Sequence, residues 1–266
     1  MGSTASGQGG EPVIHPTAVV DPAAEIGRDV RIGPFAVVGP HVRIGDGCEI
    51  GPHAVLDGHL TLGRRNRVFS STVLGSPPQD LKYKGGECRL EIGDDNTFRE
   101  FITVNPSTTP EGLTRIGNDC LLMACTHVAH DCVLGDHVIL ANGAVLGGHV
   151  RLDDWAFVGG LSAVHQFSVV GPHAFIGGAT RLSHDVPPYV KVAGSPVRLA
   201  GVNTIGLERR GFSAETIARI KRAYRYLYRR GLRVEDALRQ IVEEGEDEVA
   251  AAFQEFFRHS QRGIVR

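Results

Sequence analysis

From Ile14 onward, every sixth residue is aliphatic. Ile14, Val20, Ile26, Ile32, Val38, Ile44 and Ile50 open a series that runs through Leu122 and Val128 to Leu182. Of its 29 positions, only Asp80, Gly86 and Pro110 are neither aliphatic nor Phe. The residues two places earlier, such as Ala36, Val42, Cys48, Cys120, Cys132 and Ala144, are mostly small. Gly often follows the aliphatic position, as in Ile32-Gly33 and Ile44-Gly45. Two inward positions separated by one outward residue, then a turn, describe a very short strand. A hexad that short cannot bury its own face, so it is stable only if the chain coils and stacks hexad on hexad, as a parallel β-helix. Three hexads per coil would give a triangular prism with 18-residue coils rising roughly 4.8 Å each. Periodicity alone leaves the number of sides and the hand open.

The composition agrees. With 34 Gly in 266 residues, the chain turns too often for a helix bundle. No stretch approaches the roughly 18 consecutive apolar residues of a membrane span. Residues 1–12 read as a disordered tail, and without a basic flank or an apolar run they do not form a secretory signal, so a cytoplasmic address is expected. Five Cys and no Cys-x-x-Cys pair predict free thiols.

The sequence predicts a β-helix over residues 13–190 and a C-terminal helical domain over residues 191–266. The hexads break twice, at residues 75–91 and again around Asn105 to Gly112, and both times they return in phase. These segments read as projecting loops, where function often resides. The pattern ends at Val186-Pro187-Pro188-Tyr189, and after an irregular stretch the periodicity becomes helical. Ser213 serves as a cap, Ile217, Ile220, Tyr224 and Leu227 fall at helical spacing, and Gly231 is a stop. Val234 to Glu244 and Asp247 to His259 suggest two more helices that cover the open end of the solenoid.

None of the eleven His in the repeat region occupies an inward position. His41, His53, His59, His137, His149 and His173 share one place in the hexad and read mostly as turn residues. His127 and His130 depart from that habit. In an 18-residue coil, His130 stacks below Gly148, beside His149, and two coils below Gln166, beside His165. Such a cluster suits a general base, a zinc site or no chemistry at all. No Gly-x-Ser-x-Gly elbow supports a Ser nucleophile.

The run Ile32-Gly33-Pro34-Phe35-Ala36-Val37 and its neighbours resemble the hexapeptide-repeat acyltransferases, which implies a left-handed, three-sided prism. A closer resemblance lies in Gln79-Asp80-Leu81-Lys82-Tyr83, His127-Val128-Ala129-His130-Asp131-Cys132, Gly147-Gly148-His149-Val150, Ala163-Val164-His165-Gln166-Phe167, Asp185-Val186-Pro187-Pro188-Tyr189, Gly201-Val202-Asn203 and Arg209-Arg210-Gly211-Phe212. These runs are similar to the UDP-N-acetylglucosamine O-acyltransferase family of lipid A synthesis, from about Ile14 to Arg266.

That resemblance implies a homotrimer with sites between neighbouring prisms. Its reaction would move an (R)-3-hydroxyacyl group from the 4'-phosphopantetheine of acyl carrier protein to the glucosamine 3-position of UDP-GlcNAc, with no other cofactor and no metal. It casts His130 as base, Asp131 as its orienting carboxylate and the Gly148 N–H as oxyanion donor. His127, His149, His165 and Gln166 would contact sugar, diphosphate or pantetheine, joined by Asp80 and Lys82 from the first loop. Asn203, Arg209 and Arg210 would hold nucleotide or phosphate, and Gly178 takes the family's acyl-chain ruler position. The chain departs from the family's Arg-Gly-Thr run with Asn105-Pro106-Ser107-Thr108, and carries Ile205 where an acidic residue is known, which leaves the acceptor's 3-substituent, hydroxyl or amino, open.

Arg219, Lys221, Arg222, Arg225, Arg229, Arg230 and Arg233 read as a basic face on a chain of net charge −2. Without an overall basic balance it does not suit nucleic acid, and an acidic carrier protein fits it better. Other readings are the pathway's N-acyltransferase, which has an added N-terminal domain, an acetyl-CoA-dependent acetyltransferase and a zinc carbonic anhydrase.

Overall fold

The structure, a computed structural model, describes residues 10–266. Most of the expected disordered tail, residues 1–12, lies outside this range. Its last residues do not fit that expectation, because Gly10 exchanges hydrogen bonds with Asp29, accepting from its amide at 2.9 Å and donating to its carboxylate at 2.7 Å.

Most strands are two residues long and fall into three sheets, each built from every third strand in chain order. Sheet 1 begins with Val13–Ile14, sheet 2 with Val19–Val20 and sheet 3 with Glu25–Ile26. Pairing is parallel with an 18-residue register, as in Ile14 with Ile32 and Val20 with Val38. The fold is a left-handed three-sided β-helix. Both predicted inward positions point into the prism: Ala36, Val38, Val42, Ile44, Cys48 and Ile50 are all buried. Each inward Leu, Ile or Val contributes about 1.5–3 kcal/mol by leaving water. Because each coil touches only its neighbours, the contributions accumulate along the axis.

The hexad's turn has a fixed conformation. The residue three places after the aliphatic position is left-handed at nearly every corner, with φ of 57° at Asp29, 58° at Phe35, 57° at His53, 58° at Asp131 and 59° at His149. His41 and His59, which share that place in the hexad, are not among the left-handed residues. Inside the prism, Asn66 and Asn96 replace small apolar residues, and the Asn66 Oδ1 accepts from the Asn96 amide at 3.0 Å. The Asn96 Oδ1 accepts in turn from the Cys120 amide at 2.8 Å. The Cys are free, as expected, and all but Cys125 are buried.

Both insertions leave from the corner between sheets 2 and 3. The first lengthens a coil to a 30-residue register, with Val68 pairing Phe98, and the second to 24 residues, with Phe98 pairing Leu122. The first loop is shorter than the hexads suggested. Strand pairing resumes at Arg89, whose neighbour Leu90 is buried in the core.

The boundary at residue 190 also shifts. Val190–Ala193 still pairs with sheet 1, and Arg198–Val202 folds back antiparallel on it. Helices begin only at α1, Thr204–Arg209, followed by α2, Ala214–Tyr228, α3, Val234–Glu243, and α4, Glu248–His259. Helix α1 falls in the stretch that read as irregular, since it is one and a half turns long with no side-chain cap. Ser213 and Asp247 cap α2 and α4, their side chains accepting from the Thr216 and Ala250 amides. Tyr224 and Tyr228 of α2 pack on the prism core. Arg219 leaves the predicted basic face: it is buried against α3, where Glu244, Asp247 and the Ile241 carbonyl accept its guanidinium hydrogens.

Candidate active site

His130 and Asp131 sit at the corner between sheets 2 and 3, just after strand His127–Val128. Side chains of adjacent residues diverge in a regular strand, but the left-handed Asp131, φ 58°, turns its carboxylate back on its neighbour. The His130 Nδ1 lies 2.9 Å from Asp131 Oδ2. A carboxylate only accepts, so Nδ1 carries the hydrogen and Nε2 keeps a free lone pair. Asp80, from the first loop, reaches within 3.7 Å of that Nε2.

Asp131 is held on every side. Its Oδ2 also accepts from the Thr108 amide at 3.2 Å and the Thr108 hydroxyl at 2.8 Å, and its own amide donates to Thr114 Oγ1 at 2.7 Å. Gly112 makes room, since a Cβ there would lie 2.7 Å from Asp131 Oδ1. One coil on, a Cβ at Gly148 would stand 2.4 Å from His130 Cε1, so only glycine admits the imidazole beneath it. At the corner between sheets 3 and 1, the equivalent turn amides are capped from the next coil: Arg28 donates to Asp46, Asn118 to Asp136 and Asp136 to Asp154. Gly148 is buried, yet its amide has no acceptor among the described residues. Buried backbone donors are almost always paired, so this one is available to a ligand.

His149 stacks on Phe167 with centroids 4.6 Å apart and meets His130 edge-on at 5.2 Å. His130, Asp131 and His149 bring three donor atoms within 4.8 Å of one another, the one metal-like group among the described residues. Asp131 Oδ2 already accepts three hydrogen bonds, and His130 Nδ1 is spent on it, so these residues fit a held imidazole better than a cation. His127 bonds the Thr103 hydroxyl at 2.7 Å, and burial, then the proximity of His130, pushes its pKa down. It therefore stays neutral.

The remaining candidates lie elsewhere on the prism. His165 and Gln166 are exposed on the same corner, two coils beyond His130, with His165 Nδ1 bonded to the Gln166 carbonyl. Lys82 is exposed on the first loop, and its amide donates to Asp80 Oδ1 at 2.8 Å. Gly178 is exposed at the corner between sheets 1 and 2. Asn203, only 7% exposed, precedes α1, and its side-chain amide donates to the His173 carbonyl at 3.0 Å. Arg209 is exposed in the last turn of α1. Arg210 lies at the corner between sheets 3 and 1, over Trp155 at 4.9 Å, and donates to His173 Nδ1 at 3.1 Å.

Thr108 and the uncapped amide pattern are site features that the hexads do not reveal. Thr108 sits in an insertion, outside any register.

Burial, reinforced by the Arg210 charge, lowers the His173 pKa to about 4. Between that value and the ordinary imidazole pKa of ~6.5, the unfolded chain binds a proton that the folded chain refuses, so stability falls as pH drops through this window. Phe occupies the same hexad place at Phe35, Phe101 and Phe167, so His173→Phe should keep the stack. Melting temperature against pH is expected to be flatter for that variant between pH ~6.5 and ~4 than for the parent, and parallel curves would exclude His173 as the source.

Comparison with known proteins bears on the whole chain. Residues 185–265 match the family model described as UDP-N-acetylglucosamine O-acyltransferase, domain 2. Residues 23–58 and 113–148 match the bacterial transferase hexapeptide model. An acyl-[acyl-carrier-protein]–UDP-N-acetylglucosamine O-acyltransferase from Paracidovorax citrulli is 53% identical over 259 residues, covering 95% of this chain and 99% of the relative. One from Myxococcus xanthus is 51% identical over 256 residues, covering 95% and 99%. The solved structure of LpxA from Acinetobacter baumannii gives a TM-score of 0.91 at 40% identity, covering 96% of this chain and all of that one. With identity this high over nearly its full length and a shared fold, the chain is an enzyme and belongs to the UDP-N-acetylglucosamine O-acyltransferase family.

Proposed function

We propose that the protein transfers an (R)-3-hydroxyacyl group from acyl carrier protein to the 3-position of UDP-GlcNAc, the opening step of lipid A synthesis, with His130 as general base. The observation that carries this reading is the pairing of a carboxylate-held imidazole with a buried, unpaired amide one coil above it. His130 Nε2 takes the acceptor's 3-hydroxyl proton as its oxygen attacks the thioester carbonyl. The carbonyl oxygen gathers negative charge and accepts from the Gly148 N–H. As the tetrahedral adduct collapses, the C–S bond breaks and the pantetheine thiolate recovers its proton from the imidazolium. The acyl group passes directly between substrates, so the pantetheine of the donor is the one prosthetic group required.

Face chemistry supports a homotrimer. The outward residues of sheet 3 include Glu25, Arg43, Arg115 and Arg151, which suits a solvated face. From Leu121 on, beyond the paired Arg31, Glu49 and Arg67 of its first coils, sheet 1 turns Leu121, Ile139, Phe157 and Phe175 outward, and sheet 2 turns out Val19, Val37, Val55, Val73 and Val145. The corner between those sheets is apolar too, with Phe35 55%, Phe101 63% and Leu161 79% exposed. Sheet 1 of one copy against sheet 2 of the next closes a ring of three with that corner on the axis. Each His130 corner then faces a neighbour's Asn203, Arg209 and Arg210, which we assign to the nucleotide and its phosphates. His127, His149, His165, Gln166, Asp80 and Lys82 line the sugar and pantetheine side. Acyl carrier protein would dock on the remaining basic face of α2, and the reaction is assigned to the cytoplasm; among the described residues no helix is long and apolar enough to cross a membrane. An active monomer in sedimentation would overturn the trimer.

The deciding assay follows product formation from UDP-GlcNAc and its 3-amino analogue with hydroxyacyl carrier proteins of graded length. Hydrolysis of thioester without transfer, or acetyl-CoA as the sole donor, would overturn the assignment. In the ring of three, the acyl chain runs between two sheets toward Gly178. Gly178→Met is expected to shift preference toward shorter chains, by about tenfold in kcat/KM for the longest accepted donor. An unchanged length profile would place the groove elsewhere.

A further inference from the structure

Both insertions rise from the corner that carries His130, and they meet opposite sides of its ring. The first brings Asp80 toward Nε2. The second brings Thr108 to Asp131, the residue that grips Nδ1. Two donors from a single residue, amide and hydroxyl, converge on the oxygen that accepts from the imidazole. Both Thr108 donors fix this oxygen independently of the ring, so the imidazole that donates to it is oriented. The second insertion is itself anchored: Ser107 Oγ accepts from the Arg89 amide at 3.0 Å and donates to the Thr109 carbonyl at 2.9 Å. Asn105 is buried, and its side-chain amide donates to the Ser76 and Pro77 carbonyls at 3.0 and 3.2 Å, which ties the second insertion to the root of the first.

We infer that Thr108 is a positioning residue for the acyl transfer, acting on His130 through Asp131 and touching neither substrate. The inference rests on His130 being the base. The hydroxyl carries a specific share of the work. Thr108→Val keeps the shape and the amide donor but deletes one bond to the carboxylate, whereas Thr108→Ser restores the hydroxyl without the methyl group.

The experiment is a double-mutant cycle on the full-length enzyme, with UDP-GlcNAc and hydroxyacyl carrier protein as substrates. Thr108→Val is expected to lower kcat about tenfold, the loss of roughly one charge-assisted hydrogen bond, with KM within about twofold. Thr108→Ser is expected to recover most of the turnover. In a His130→Ala background, Thr108→Val should make no further difference, because the group it positions is gone. An equal fall in both backgrounds, or a Thr108→Ser variant as slow as Thr108→Val, would make Thr108 a structural residue and overturn the inference. Failure of the base assignment reads differently, since His130→Ala alone would then keep near-parental turnover.

Discussion

His130→Ala is expected to lower kcat at least ~10²-fold, the usual cost of losing a general base, with a smaller effect on acceptor KM. The imidazole sits outside the prism core at a turn, so its removal leaves the stacked aliphatic residues untouched. What is lost is an oriented lone pair beside the Gly148 amide. Steady-state kinetics on a purified variant of unchanged oligomeric state decide the matter. Near-parental turnover would move the search for a base to His149 or His165.

The largest effect on stability is expected from Asp185→Ala. Asp185 is fully buried where the hexads end. Its Oδ1 accepts from the Val169 amide at 2.8 Å, and its Oδ2 from Ser260 Oγ at 2.8 Å and from the Gln261 and Arg262 amides at 3.1 Å. Its backbone bridges Gly263 and Val265, and Val265 is buried in the prism core. One carboxylate thus clasps the C-terminal tail to the last coil. Truncation strands these donors and releases the tail, at about 3 kcal/mol or more. Denaturant unfolding should show it as a lower midpoint, accompanied by proteolytic nicking near residue 260. A midpoint within error of the parent would show that the tail docks without the clasp.

The prism was legible because its cause is repetitive: the same two inward positions recur at every hexad, so thirty or so weak signals add. His130, Asp131 and Gly148 were legible through their 18-residue spacing and their motif. Other parts act only once, and a single occurrence leaves no pattern. Thr108 is an ordinary loop threonine until the coil above lowers Asp131 onto it. Arg219 falls on an apparently basic helix stripe, and its burial depends on where α3 packs. Arg210 directly follows α1, a helix too short to announce itself, and its partners Trp155 and His173 are 55 and 37 residues away in sequence.

The insertions have one more consequence. A stack of identical coils has translational symmetry: slipping it by one coil, 18 residues, would still place aliphatic residues inside and small ones beside them. Such a slipped stack would bury nearly as much apolar surface as the native one, and hydrophobic patterning could not tell them apart. The coils lengthened to 30 and 24 residues break that symmetry, because a strict 18-residue pairing there would carry Asp80, Gly86 and Pro110 into inward positions. The buried Asn66–Asn96 pair indexes the same coils from inside. The segments that bring Asp80 and Thr108 to His130 therefore also mark the coils, so that the His130 corner and the register of the stack depend on the same two insertions.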